Sequence, residues 1–280
     1  MGTSKAYGGP ANGLVPSFVD NPPEPTLARP PTQGAAGPQT TQSAPHSSPP
    51  PDNNGVGSLR HAKGNFTRFA RSGSSSALGR SIANYVRNGT GGARRASRRM
   101  GSSRVAASGL LGIVRDIQQT GAAQALQRLN LGNLAGQPAE NVFVALLEFI
   151  CPPGGTVDEG IARQAMVDTI ADTSEIGAGT FDTLTREQLN EFFLGFIVHS
   201  IEGRVIADLG KNGIALPDDV NAVEQMQDQL HDFVSGATRG VLSGRLNDIA
   251  SLTDRDIEDR VNQIYEVAFE MIAVAGENAE

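Results

Sequence analysis

The sequence has no tryptophan, a single cysteine and few aromatic side chains of any kind, and these shortages limit how it can fold. Aromatic residues make up 5% of the 280 positions, whereas 33 positions are glycine and 16 are proline. Less of the chain can therefore form a hydrophobic core than its length suggests, and we predict one folded part and one unfolded part. Cys151 cannot form a disulfide within the chain, so we expect a reducing, cytoplasmic location. It is followed by two prolines and is not placed at a helix N-terminus that would stabilise its thiolate, so we interpret it as buried and inert.

Long apolar runs are also missing. The stretch VFVALLEFI ends at Pro152 and Pro153, well short of the roughly 18 residues that a membrane-spanning helix needs. The start of the sequence lacks the basic, apolar and cleavage regions of a secretion signal. We therefore expect a soluble protein without a membrane segment.

The charge is divided unevenly along the chain. Residues 1–107 contain 13 lysines and arginines and 3 acidic residues, a net charge of +10, whereas residues 108–280 contain 10 and 27, a net charge of -17. Composition divides the first part again, into an extended leader (1–20), a disordered proline-rich linker (21–56) and a basic segment with short helices (57–107). The linker has too few apolar residues to offset the entropy of ordering it. The acidic part forms its own domain in this prediction.

Helical periodicity runs through the acidic part. Apolar residues recur there at three- and four-residue spacing, and no alternating pattern typical of strands is present. Two pairs of residues have the pattern of a capping box, which marks helix starts: Thr156 with Glu159 and Thr185 with Gln188. Thr253 and Asp256 stand where a cap and a first-turn acid belong at the start of the last helix. We predict an all-α bundle of about six or seven helices, preceded by two or three short helices that break at Gly73, Gly89 and the pair Gly91 and Gly92.

No set of side chains in the bundle has a recognisable catalytic pattern. His199 and His231 lie on predicted helices, and we interpret them as packed or surface residues because no cysteine or carboxylate stands at a metal or catalytic spacing from them. The acidic residues of TDRDIEDR alternate with arginines, as is typical of a solvated helix start. The sequence therefore predicts no nucleophile with its base and orienting group, no metal site and no enzyme.

Four arginines make the basic segment a candidate anion-binding surface. Arg94, Arg95, Arg98 and Arg99 form i,i+4 pairs and would make a cationic stripe on a helix. Such a stripe binds phosphates through the release of counterions. Docking of the segment on the acidic half or on a partner explains the charge equally well, so nucleic-acid binding stays an open alternative and is not favoured.

The leader offers the most reactive acyl acceptor in the sequence. Removal of Met1 would expose the α-amine of Gly2, whose pKa near 7.7–8.0 leaves far more of it neutral than a lysine amine with a pKa of about 10.4. Myristoylation is disfavoured because Ala6 replaces the serine or threonine of that pattern. We expect the leader to be recognised by a partner through six residues: Thr3, Ser4, Lys5, Tyr7, Gly8 and Gly9.

A second feature of the N-terminal part is the short apolar motif GLVPSFVD. Its members Leu14, Val15, Phe18 and Val19 form the only apolar cluster before residue 56. Extended segments of this kind dock in grooves or add to a sheet edge of another protein. We therefore predict that the motif docks on a partner.

The leader MGTSKAYGGP, followed by GLVPSFVD, a proline-rich linker, an Arg/Gly/Ser segment and an acidic helical body, resembles the QatB family. This family is the B component of the four-part Qat anti-phage defence systems of bacteria, which also contain an ATPase, a QueC-like protein and a TatD-like nuclease. The leader is the specific part of the resemblance, and beyond it the match is one of overall plan.

The resemblance implies that the chain is the protein substrate and partner of the QueC-like component. QueC enzymes use ATP to activate 7-carboxy-7-deazaguanine and pass its acyl group to ammonia, and in defence relatives the acceptor is a protein N-terminus. Gly2 would then be the acceptor, and the 7-deazaguanine group would be a covalent modification and not a bound cofactor. A nucleic-acid-binding subunit and a purely structural adaptor remain the alternatives.

Overall fold

The computed structural model describes residues 58–175, 179–210 and 219–279, and in these residues it is all-helical. An isolated antiparallel bridge between Pro138 and Thr180 is the only β pairing there. The described part contains ten α-helices: α1 (Arg60–Ser72), α2 (Ser75–Asn84), α3 (Ala93–Arg98), α4 (Gly101–Thr120), α5 (Ala122–Arg128), α6 (Ala139–Ile150), α7 (Val157–Glu175), α8 (Arg186–Gly210), α9 (Val220–Ser243) and α10 (Asp254–Glu277). The predicted all-α fold class is confirmed.

The predicted helix starts are present as hydrogen-bonded caps. At the start of α10, the hydroxyl of Thr253 accepts a hydrogen bond from the backbone N–H of Asp256, whose carboxylate accepts one from Thr253 in return. The same reciprocal pattern joins Thr156 to Glu159 and Thr185 to Gln188. Each cap satisfies backbone donors that a helix terminus leaves without an intrahelical partner.

The breaks predicted in the basic segment also lie where expected. Helix α1 ends at Gly73, whose φ of 63° lies in the left-handed region that glycine adopts without penalty. A short π-helical turn, Tyr85–Gly89, follows α2. Helix α3 begins directly after Gly91 and Gly92, which have φ values of 81° and 106°. Three short helices therefore occupy the segment, as the sequence predicts.

Helix α8 is the centre of the body, with α4, α7 and α9 packed around it. Seven consecutive residues, 192–198, are buried, so this part of the helix is enclosed on all faces. Two glycines of α8 let α7 approach closely, because an added Cβ at Gly195 would lie 3.2 Å from Thr169 and one at Gly203 would lie 3.1 Å from Ile161. Helices α7 and α8 therefore cross closely at both glycines.

The helices of the basic segment belong to the same compact unit as the acidic helices. The apolar faces of α1 and α2, which include Phe66, Phe69, Leu78 and Ile82, are fully buried, and α2 packs along α10. Charge adds to this contact, because Arg87 lies 2.9 Å from Glu270 and 2.8 Å from Glu277 of α10. The apolar contact is continuous, so hydrophobic burial and not charge dominates the packing of α2.

Candidate functional site

Two histidines and a glutamate converge on one side of the central helix. His199 and Glu202 lie one turn apart on α8, and this i,i+3 spacing places both side chains on the same face. His231 reaches the pair from α9. The Nδ1 atom of His199 lies 3.2 Å from Oε2 of Glu202, and the Nδ1 atom of His231 lies 3.1 Å from Oε1 of the same carboxylate.

A fourth side chain orients His199 from the other flank. Asp172 of α7 lies with its Oδ2 2.8 Å from Nε2 of His199. The imidazole is thus held between two carboxylates, with one ring nitrogen toward each. The His231 ring lies beside it, with ring centroids 4.9 Å apart. Three helices therefore fix the position of one histidine.

Burial and the neighbouring charges shift the pKa values of His199, Glu202 and His231 in opposite directions. Burial by itself would lower the pKa of His199, but the hydrogen bonds to Glu202 and Asp172 outweigh it and raise the pKa to about 9. The contact with Glu202 likewise raises the pKa of His231, against a smaller opposite effect of burial. Burial would raise the pKa of Glu202, yet its contacts with the two imidazoles hold the pKa below the usual value.

The cluster lines a groove between α7 and α9 that has α8 as its floor. The groove has a volume of about 1090 Å³ and five carboxylates among its described lining residues: Asp168, Asp172, Glu202, Asp228 and Asp232. No lysine or arginine is present among those residues. The groove therefore has a negative potential and attracts cations.

The interpretation that no carboxylate stands at a metal or catalytic spacing from the histidines is wrong. Glu202 follows His199 by three residues, and this signal is visible in the sequence. The sequence does not reveal the rest of the site, because His231 and Asp172 come close to this pair only through the packing of α7 and α9 on α8. The expectation of a packed histidine is confirmed for His199, whose side chain is 12% exposed.

A second polar cluster joins the basic segment to α8. Asp208 is buried, and its Oδ2 accepts hydrogen bonds from the Tyr85 hydroxyl at 3.0 Å and from Arg99 at 2.9 Å. The buried Arg204, one turn earlier on α8, lies 3.6 Å from Asp208 and 2.6 Å from Asp158. Burial and the neighbouring carboxylate raise the pKa of Tyr85, so this phenol is neutral. The cluster is structural, since every member is engaged by another.

The four arginines of the predicted cationic stripe do not share one role. Arg94, Arg95 and Arg98 are exposed on α3 and make no ion pair with another described residue. Arg99 follows the helix and is paired with Asp208. Three of the four guanidinium groups are therefore accessible to an anion in solvent. Nucleic-acid binding by these arginines stays a prediction.

Cys151 matches its interpretation as a buried residue. It is 5% exposed, and its thiol points toward the carbonyl of Ala162, 3.7 Å away. Burial raises the pKa of this thiol to about 11, against a smaller opposite effect of Arg163. At neutral pH the group is almost entirely the unreactive thiol.

The residues assigned to modification and docking lie outside the described residues. These are Gly2, the leader positions from Thr3 to Gly9, and the motif of Leu14, Val15, Phe18 and Val19. Within the described residues, no helix combines the length and hydrophobicity that a membrane span requires.

Comparison with known proteins identifies a protein family. A family model described as Qat anti-phage system associated protein QatB matches residues 91–272. The matched range covers nearly two thirds of the chain, from just before α3 into α10. It includes the whole histidine cluster and every member of the second polar cluster except Tyr85. No curated protein and no solved structure matches the chain.

Proposed function

Because this chain belongs to the QatB family of Qat anti-phage system associated proteins, we propose that it acts in phage defence as the protein substrate of a QueC-like enzyme. The family membership makes it a component of an anti-phage system, and this single observation carries the proposal. The finer assignment rests on the resemblance of the leader sequence. The helical body would bind the partner, and the leader would enter the partner's active site.

The proposed reaction forms one amide bond. The neutral α-amine of Gly2, exposed once Met1 is removed, attacks the carboxyl carbon of 7-carboxy-7-deazaguanine that the partner has activated with ATP. The ATP-derived group leaves with the electron pair of its bond to that carbon, and the amine gives up a proton. Glycine suits this attack because it has no Cβ to crowd the amine, and Gly8 and Gly9 suit a backbone that must enter a narrow channel.

Two properties of the described residues support a non-enzymatic role. The one cysteine is buried, and its thiol has a raised pKa, so it is a poor nucleophile. The buried carboxylate and phenol of Asp208 and Tyr85 are engaged with arginines and with each other. In this proposal, the QueC-like partner catalyses the amide formation, and the ATPase and TatD-like components complete the complex.

Replacement of Gly2 by proline tests the acceptor. Proline presents a crowded secondary amine, so we expect no adduct on the Gly2→Pro chain produced together with all partners. A Lys63→Arg chain is the control and should be modified as completely as the native chain, because Lys63 lies outside the leader and a lysine ammonium is almost wholly protonated near pH 7. Peptide mapping by mass spectrometry measures both. A native chain with a free Gly2 amine, or an adduct on Lys5 or Lys63, would rule the mechanism out.

Replacement of Phe18 by alanine tests the docking motif. Removing an aromatic anchor typically weakens binding by about 1–3 kcal/mol, so we expect the dissociation constant for the QueC-like partner to rise by about 5- to 150-fold. The matched control is Phe149→Ala, because Phe149 is 58% exposed on α6 and lies outside the motif. Calorimetric titration of both variants gives the comparison. Equal affinity of Phe18→Ala and the native chain would remove this role from the motif.

A nucleic-acid-binding subunit is the second candidate, and the three exposed arginines of α3 favour it. Binding of this kind falls steeply with salt. Loss of that salt dependence in a chain with Arg94, Arg95 and Arg98 replaced by glutamine would identify α3 as the contact surface. A structural adaptor, in contrast, would bind its partners equally well with the Gly2 amine blocked.

A further inference from the structure

We propose that His199, Glu202 and His231 form a binding site for one divalent transition-metal ion of the zinc class. This inference is independent of the proposed modification of Gly2, because it concerns the helical body alone. Two imidazoles and one carboxylate are a common ligand set for such ions in proteins. Each residue offers a ligand atom, and the three atoms lie within 4.8 Å of one another.

The spacing of the atoms fits a tetrahedral ion after small side-chain rotations. Bonds of about 2.0–2.1 Å to a tetrahedral ion place its ligands roughly 3.4 Å apart. The distances from the Glu202 oxygens to the Nδ1 atoms of His199 and His231 are 3.2 and 3.1 Å. The backbones of α8 and α9 therefore place Glu202 near this separation from each histidine. The three ligand atoms lie within 4.8 Å of one another, so side-chain rotation must bring the set together around an ion.

One oxygen of the cluster lacks a hydrogen bond. Oε1 of Glu202 is buried, and its approach to His231 does not have hydrogen-bond geometry. A buried carboxylate oxygen without a hydrogen bond is costly, so a further partner would stabilise it. A metal ion bound by both Nδ1 atoms would lie beside this oxygen and provide that partner.

Asp172 has the position of an outer-shell partner. In metal sites, a ligating histidine almost always donates its second ring N–H to a carboxylate or carbonyl, which fixes the ring and its tautomer. His199 has Nδ1 directed to Glu202 and Nε2 within 2.8 Å of Asp172. Its ring is thus placed so that Nδ1 binds the ion while Nε2 donates to Asp172.

The groove determines what else reaches the ion. Three protein ligands leave a fourth position, which opens to the groove between α7 and α9. The surrounding carboxylates Asp168, Asp228 and Asp232 favour the entry of a cation. The two imidazoles select zinc-class ions over magnesium and calcium, which prefer all-oxygen sites. The bound ion would link α8 to α9.

Titration of the purified full-length chain with Co²⁺ after treatment with a chelator tests the site. We expect one equivalent to bind with the visible absorption of a tetrahedral complex, and Zn²⁺ to displace it. His231→Ala and Glu202→Gln should each weaken binding by about 100-fold or more. Asp172→Asn, which removes an outer-shell partner, should weaken it by about 10- to 100-fold.

Two matched controls separate this site from adventitious binding. His61→Ala removes a histidine of α1, and Glu140→Gln removes an exposed carboxylate of α6 that does not line the groove, so both variants should bind like the native chain. Circular dichroism of each variant shows whether its helices are retained. Zn²⁺ should also raise the melting temperature of the native chain and leave that of Glu202→Gln unchanged. Absence of binding to the native chain, or equal weakening by His61→Ala and His231→Ala, would overturn the proposal.

Discussion

Replacement of Asp208 by alanine is expected to lower the free energy of unfolding by about 3–5 kcal/mol, the cost of breaking a buried ion pair by removing one partner. Asp208 is 5% exposed and accepts hydrogen bonds from Tyr85 and Arg99. Without it, the buried guanidinium of Arg204 keeps only Asp158 and the backbone carbonyl of Arg99. The buried hydroxyl of Tyr85 also loses its acceptor.

Urea unfolding followed by circular dichroism measures this loss. The control is Asp228→Ala on α9, an exposed position, where the change should stay within about 0.5 kcal/mol. Since the Tyr85 and Asp208 side chains are in contact, Tyr85→Phe should cost less in the Asp208→Ala background than in the native chain. A loss below about 1 kcal/mol for Asp208→Ala would show that the cluster does not hold the basic segment to α8.

The second large effect is expected at the crossing of α2 and α10. A Cβ atom at Gly276 would lie 2.3 Å from the carbonyl oxygen of Gly79 and 3.1 Å from the backbone nitrogen of Ala83. The obstacle is backbone and cannot rotate away, so the two helices must move apart. We expect Gly276→Ala to lower the free energy of unfolding by about 3 kcal/mol, at the upper end of the usual cost of overpacking.

Gly236→Ala is the matched control for this substitution. Gly236 lies in the middle of α9 with no atom within 4 Å of an added Cβ, and alanine is favoured over glycine in a helix by roughly 0.5–1 kcal/mol. The control chain should therefore be slightly more stable than the native one. Equal stabilities of the two variants would mean that α2 and α10 do not cross as closely as described.

Local signals predicted the helices well. The pairs Thr253 with Asp256 and Thr185 with Gln188 mark starts of helices because a cap needs only residues within one turn. Leu78 and Ile82 are four residues apart, and their burial follows from the same helical period. The breaks at Gly73 and Gly92 also follow from single residues, because each requires a positive φ.

The two polar clusters could not be predicted in this way, because their members are distant in sequence. Tyr85 and Asp208 are 123 residues apart, and Asp172 and His199 are 27 apart. Periodicity assigns a residue to a face of its helix but does not say which helix lies opposite. Two pairs lie about one turn apart, His199 with Glu202 and Arg204 with Asp208. The first of them was the one local sign of the histidine site.

A few ion pairs join the basic N-terminal part of the described chain to its acidic helices. Arg87 pairs with two glutamates of α10, and Arg99 pairs with Asp208 of α8. Arg94, Arg95 and Arg98 stay exposed. Part of the basic charge therefore stabilises the helical body, and the exposed remainder is available to a partner.

The intact mass of the native chain tests the central proposal most directly. The chain is produced with the complete Qat system and, in parallel, with the same system lacking the QueC-like component. After removal of Met1, the account predicts that the first product is heavier than the second by the mass of one 7-deazaguanine acyl group less the proton it replaces on the Gly2 amine. Identical masses in the two preparations would contradict the account.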